Sequence, residues 1–154
     1  MDALIRFAAD GLLVVIIMAA GVLGVWHVWR TRAIAIKVPY AVMAGLTSLL
    51  IAKLTSLVIQ PNVTRPYIEK GLQAGASYID NPGFPSDQAL LATVVVVMLY
   101  ALTPYRKTAM VLGVLVIIMS IARVMALVHT PLDVTGGMIL GLTGAVWYRY
   151  VAKA

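Results

Sequence analysis

The sequence predicts an all-α, polytopic membrane helical bundle of about five transmembrane helices, on three observations. Hydrophobic residues fill 62% of the 154 positions and charged residues only 12%, about half the roughly one-quarter share of an ordinary soluble domain. The mean hydropathy is +0.95. The apolar residues also fall in unbroken blocks, most of them near the roughly 20 residues that a spanning helix needs. Cysteine is absent, so disulfides, thiolate metal sites, iron–sulfur clusters and cysteine nucleophiles are excluded. Two histidines, His27 and His129, are too few for most histidine-rich metal sites.

The spans are expected at about 4–29, 38–60, 87–103, 107–129 and 131–152. Asp2 and Asp10 make the start acidic and no small-residue cleavage motif follows, so the first block reads as a retained helix rather than a signal peptide. The third is short when counted from Ala89 to Leu102, and its ends are expected to lie within protein rather than lipid. The fifth carries Gly137, Gly141 and Gly144, a small-residue face for close helix packing. No internal repeat or low-complexity tract divides the chain, and residues 1–154 read as one domain.

Charge placement orients the bundle. Five spans put one set of loops beside Arg30, Arg32, Lys37, Arg106, Lys107, Arg149 and Lys153, seven cations without an acid. The other side holds Arg6, Lys53, Arg65, Lys70 and Arg123 with every acid: Asp2, Asp10, Glu69, Asp80, Asp87 and Asp133. Basic residues in short loops stay cytoplasmic, so the N-terminus is expected outside and the C-terminus inside. Trp26, Trp29, Trp147, Tyr148 and Tyr150 gather at the inner interface, as amphipathic rings do. The +6 charge therefore belongs to topology, and no nucleic-acid partner is implied. His27 reads as an interfacial residue.

The long connection, about 61–86, falls on the outer side and is rich in turn residues: Pro61, Pro66, Gly71, Gly75, Asn81-Pro82-Gly83 and Pro85. Loops of that length are usually functional or disordered. Asn62-Val63-Thr64 matches a glycosylation sequon, a weak signal alone.

Three groups of residues carry candidate chemistry. Lys53 and Arg123 lie inside apolar spans, where an ionisable residue is by default a functional-site hypothesis. Lys53 stands seven residues before Gln60 and Arg123 six before His129, so both are expected roughly 10 Å below the outer ends of their helices. Two cations at matched depth could form a buried anion site; the bland reading is that each snorkels to the interface. His129 and Asp133 form the second group. A carboxylate on one ring nitrogen frees the other as nucleophile or base, while Thr130-Pro131-Leu132-Asp133 is equally an ordinary helix start. The two readings are compatible. The third is Phe84-Pro85-Ser86-Asp87-Gln88, a helix N-terminus whose N–H groups suit a phosphate oxygen. Ser86 as a plain N-cap is the competing reading, and Asp87 would repel an anion unless it pairs with a cation such as Arg65.

Taken in order, these fragments resemble the motifs of the membrane-bound type 2 phosphatidic acid phosphatase (PAP2) family, including its bacterial undecaprenyl-diphosphatase members. That family carries Lys-x6-Arg-Pro, Pro-Ser-(Gly or Asp)-His and Arg-x5-His-x3-Asp. The third motif is complete as Arg123, His129 and Asp133, and the second stands as Pro85-Ser86-Asp87-Gln88. The first is altered: Lys53 leads to Gln60-Pro61, and Arg65-Pro66 follows five residues later. Arg65 reads as the displaced guanidinium donor. The resemblance covers about 53–133, and the family's usual first span has no counterpart here.

The resemblance implies a metal-independent, cofactor-free phosphoryl transfer at the outer face of a bacterial plasma membrane, with a membrane lipid such as a polyprenyl diphosphate or phosphatidic acid as substrate. His129 would attack phosphorus to give a phosphohistidine and Asp133 would orient it. Lys53, Arg65, Ser86, Asp87, Arg123 and nearby amides would make up the phosphate pocket. Gln88 occupies the family's general-acid position and cannot exchange a proton near neutral pH. It reads either as a replacement made to trap substrate or as the mark of a natural member that is slow or no longer an enzyme. A lipid-phosphate binding or transport protein on the same scaffold is the alternative.

Overall fold

The computed structural model describes residues 3–59, 64–78 and 83–151. Among them the chain is helical, without strands. The bundle consists of α1 (Ala3–Arg30), α2 (Ile34–Ile59), α3 (Asp87–Leu102), α4 (Arg106–Met125) and α5 (Pro131–Thr143). α1, α2 and α4 are long and apolar enough to cross a membrane by length and composition. α3 has 16 residues, about 24 Å of helix, short of the roughly 30 Å hydrocarbon core. α5 continues through a 3₁₀ turn, Gly144–Trp147, into a last helical turn, Tyr148–Val151.

The surface of this bundle is apolar and its interior is small. Val25 on α1, Leu57 and Val58 on α2 and Val111 on α4 face outward, whereas Ala9, Ala20, Ala44, Ser48, Ala52 and Ala92 are buried. That inversion suits lipid, where helices associate by close packing rather than by hiding apolar surface from water. α3 is central and touches each of the other four helices. Its Ala92, Val96 and Leu99 pack with Ile16 and Ala20 of α1 and with Leu112, Val116 and Met119 of α4.

The predicted glycine face of α5 is realised. A Cβ at Gly137 would press on the Ser86 carbonyl, and one at Gly141 would lie 2.9 Å from the Leu90 carbonyl. α3 and α5 thus run with backbones in contact, and their N-terminal ends meet. Gly144 plays the same part against α2, where a Cβ would overlap the Ala44 carbonyl. The helix tightens to 3₁₀ at that point, and Ser48 bridges the break. Its Oγ donates to the Gly141 carbonyl at 3.1 Å and accepts from the Gly144 N–H at 3.0 Å. At the other end of the bundle, Lys37 Nζ donates to the Leu102 carbonyl at 2.7 Å and lies 2.9 Å from His27 Nε2. A cation there satisfies the open carbonyl end of α3.

Several sequence expectations change. The fourth helix was expected to 129 but ends at Met125, which places His129 in a tight loop. Arg123 therefore lies in the last turn of α4, two residues from its end rather than six, while Lys53 stays nearly two turns from the end of α2. The matched depth of the two cations does not hold. The fifth span is broken at Gly144, and the outer connection contains a helical turn, Pro66–Glu69. α1 carries a π turn at Phe7–Gly11. Gln60, the sequon's Asn62-Val63 and Asn81-Pro82 lie outside the described residues.

The close contact at Gly144 is testable. Gly144→Ala forces a methyl into the α2 backbone, and overpacking of this kind costs about 1–3 kcal/mol. Its thermal unfolding midpoint in detergent should fall below the parent's. Gly21→Ala, where a Cβ meets nothing within 4 Å, should leave the midpoint unchanged or raise it slightly. Equal behaviour of the two variants would refute the packing account.

Candidate active site

The loop that carries His129 is built by the way α4 stops. The Leu127 N–H donates to the Val124 carbonyl and the Val128 N–H to the Arg123 carbonyl, the paired bonds of a Schellman ending. This ending needs a left-handed residue, and Leu127 supplies it with φ 60°, a conformation that costs a residue with a Cβ roughly 1–2 kcal/mol. The chain reverses there, and Val128 and His129 turn inward and are buried. Thr130 then starts α5 with a full capping box. Its side chain accepts from the Asp133 N–H, and the Asp133 carboxylate accepts from the Thr130 N–H at 2.7 Å.

Asp133 serves the cap and the histidine together. The oxygen that accepts from Thr130, Oδ2, stands 3.5 Å from His129 Nδ1. At that separation the contact is electrostatic rather than a formed hydrogen bond, and both ring nitrogens of His129 are buried without a hydrogen-bond partner among the described residues. The ring is 4% exposed. Burial holds its pKa below the usual value, with the positive charges of Arg123 and Arg65 adding to the lowering and Asp133 partly offsetting it. The imidazole is therefore neutral at neutral pH. With Nδ1 protonated toward Asp133, Nε2 keeps a free lone pair.

The two arginines reach this loop from different elements. Arg65 is buried and donates from Nη1 to the Val128 carbonyl at 2.6 Å, with its guanidinium 5.1 Å from the Tyr78 ring centroid. Tyr67 and Gly75 donate backbone bonds to the Leu127 and Ala126 carbonyls, so the segment 64–78 is laced onto the end of α4. Arg123 has no exposed surface. Its Nη1 lies 3.2 Å from both the Ala9 carbonyl and Asp10 Oδ1, and Nη2 donates to the Ser77 carbonyl at 2.8 Å. Among the described residues Nε is left without a partner.

The second motif arrives beside Asp133 because α3 and α5 touch. The Ser86 N–H donates to the Asp133 carbonyl at 2.9 Å, and Gly83 packs against the Asp133 carboxylate. Ser86 is buried as the N-cap of α3, accepting a long 3.5 Å bond from the Ala89 N–H. Gln88 lies half-buried in the first turn. Lys53 departs from expectation: its side chain is 60% exposed and pairs with Asp87 at 3.8 Å, so it forms an outer member of the cluster rather than a buried partner of Arg123. Asp87 thereby finds its cation in Lys53. No group of three or more metal-ligating side chains gathers among the described residues.

Sequence reading missed Asp10 and Ser77. Asp10 looked like one more outer acid, and its contact with Arg123 spans 113 positions, a separation that no local spacing encodes. The one signal was its place near the start of an apolar block that otherwise lacks acids.

The depressed His129 pKa makes a signed prediction. A folded chain that resists a proton which the unfolded chain accepts near 6.5 binds fewer protons than the unfolded chain below that pH. Stability present above about 6.5 should be lost as pH falls through 6.5 toward the lowered folded value. Thermal unfolding at pH 7.5 and pH 5 should show a larger acid loss for the parent than for His129→Gln. An equal loss in both chains would assign the acid effect elsewhere.

The chain is 30% identical over 138 residues to the "Bacitracin transport permease protein BcrC" of Bacillus licheniformis, covering 88% of this chain and 64% of that protein. It is 28% identical over 156 residues to the "Putative undecaprenyl-diphosphatase YbjG" of Escherichia coli K12, covering all of this chain and 75% of that protein. The chain thus spans about two-thirds to three-quarters of the length of these relatives. No solved structure matches it. The profile of the PAP2 superfamily matches residues 35–154, from the start of α2 through all three motifs, and the chain belongs to that superfamily.

Proposed function

We propose that this chain is an integral-membrane lipid phosphatase that hydrolyses a polyprenyl diphosphate, of the undecaprenyl diphosphate kind, at the extracytoplasmic face. The observation that carries the reading is His129: a buried, neutral ring with a free Nε2, backed by Asp133 and flanked by Arg65 and Arg123. The name of one relative, a putative undecaprenyl-diphosphatase, supports a long-chain lipid diphosphate as the ligand.

Nε2 attacks the terminal phosphorus, the bond to the bridging oxygen breaks, and the lipid monophosphate leaves. Water then cleaves the phosphohistidine to release inorganic phosphate. Arg65, Arg123, Lys53 and the α3 N-terminus capped by Ser86 neutralise charge on the phosphoryl oxygens, the term that dominates such reactions. Gln88 can hydrogen-bond to the leaving oxygen but cannot protonate it. A phosphate leaving group needs that proton less than an alkoxide does, which favours a diphosphate over a monoester. The motif end lies outside in this reading, since all seven cations of the far end belong to the cytoplasmic side. The five helices then cross with the N-terminus outside and the C-terminus inside, in a bacterial plasma membrane.

Gln88 favours one second reading, a scaffold that captures or moves lipid phosphate without cleaving it. Phosphate release from undecaprenyl diphosphate in detergent separates the two. Under the phosphatase reading Gln88→His should raise kcat/KM about 10²–10⁴-fold, the usual worth of a general acid. His129→Ala should abolish release in either background. No gain from Gln88→His, with lipid binding intact, would leave the binding reading standing.

A further inference from the structure

We propose that Asp10 is the positioning residue for Arg123, so that α1, which lies outside the motif region, completes the phosphate site. This rests on the phosphatase reading and deepens it. Arg123 has a fully buried guanidinium in the last turn of α4. One edge of that fork is committed: Nη1 to Asp10 Oδ1 and the Ala9 carbonyl, Nη2 to the Ser77 carbonyl. The remaining donor, Nε, is buried and unpartnered among the described residues. Buried donors are almost always satisfied, so an open one in the last helical turn before the His129 loop, whose ring nitrogens also lack partners among the described residues, points to an anionic oxygen that arrives with the ligand.

Asp10 is itself held from two sides. Its Oδ2 accepts from the Ser77 N–H at 3.0 Å and its Oδ1 from the Ser77 hydroxyl at 2.8 Å. It stands in the π turn Phe7–Gly11, an irregularity of the kind often found at functional sites. Asp10, Ser77 and Arg123 thus form a closed ring from α1, the outer connection and α4. A guanidinium on a flexible stem would otherwise be free to choose among rotamers. Locked by this ring, it can present one edge to a phosphoryl oxygen without reorganising during the reaction.

The alternative is that the ring only glues α1 to α4, and a cycle of variants separates the two. In the Gln88→His chain acting on undecaprenyl diphosphate, Asp10→Asn should lower kcat/KM about 10- to 100-fold, the scale on which orienting partners behind metal ligands act. Most of that loss should fall on kcat, and Asp10→Glu should recover much of it. Ser77→Ala, which leaves the backbone bonds in place, should give a smaller loss of the same kind. In an Arg123→Ala background Asp10→Asn should add less than about twofold, because it has nothing left to position. The same cycle is read in equilibrium binding of undecaprenyl monophosphate, and thermal unfolding of each variant identifies any that fail to fold. Full multiplicative loss in the Arg123→Ala background, or a loss seen only in unfolding temperature, overturns the role of Asp10. If the parent and Gln88→His chains neither bind nor cleave lipid phosphate, the phosphatase reading falls and this inference falls with it.

Discussion

A guanidinium buried in a bundle that presents its apolar faces to lipid is the constraint around which this structure is arranged. Burying an unpaired charge costs far more than any single contact returns, so Arg123 has to be met by oxygen on several sides. The partners come from two places, Ala9 and Asp10 on the first helix and Ser77 on the long connection. Satisfying that one side chain draws α1 against α4 and fixes the segment around Ser77. With Arg65 bonded to Val128, that segment in turn closes over the loop holding His129. The cation thereby ties α1, the long connection and α4 together at the end of the bundle that carries the motifs.

A second constraint works by absence of side chains. The α3 and α5 backbones come into contact only because Gly137 and Gly141 offer nothing to hold them apart. That contact brings Ser86 to the Asp133 carbonyl, so the second and third motifs, nearly 50 positions apart in the chain, share one rim. Ordinary helix-packing distances of 8–10 Å leave room for side chains between axes; here the motif ends meet without them. The small residues of the membrane bundle are therefore part of how the site is assembled.

Electrostatically the site is a neutral ring set between opposite charges. Burial and two arginines disfavour the imidazolium, while Asp133 holds the other side of the ring. The arrangement leaves both ring nitrogens without a hydrogen-bond partner among the described residues, under the positive charge of Arg123 and Arg65. Lys53 and Asp87 compensate each other at the exposed edge, so Asp87 does not add an uncompensated negative charge near the opening. Gln88, in the first turn of α3, offers hydrogen bonding without a titratable proton near neutral pH.

Helix number, order and approximate limits were legible in the sequence, because hydropathy in blocks is a local property and lipid enforces it residue by residue. So were the α5 glycine face, the Thr130–Asp133 cap and the three-motif set, each written in short spacings. Helix endings were less legible: Leu127 in the left-handed region lets α4 stop four residues early, and nothing in Ala126-Leu127-Val128 announces a stop as a glycine would. The relative depth of Lys53 and Arg123 is illegible for the same reason, since α4 ends four residues before its expected limit while α2 ends close to its own. Only the tertiary structure decided that Arg123 turns toward Asp10 and Ser77, that Lys53 answers Asp87, and that Arg65 docks on Val128. Those pairings join residues far apart in the chain, and many cations and acids of similar type could have satisfied the same charge rules; the packing of α1, α3, α4 and α5 selects among them.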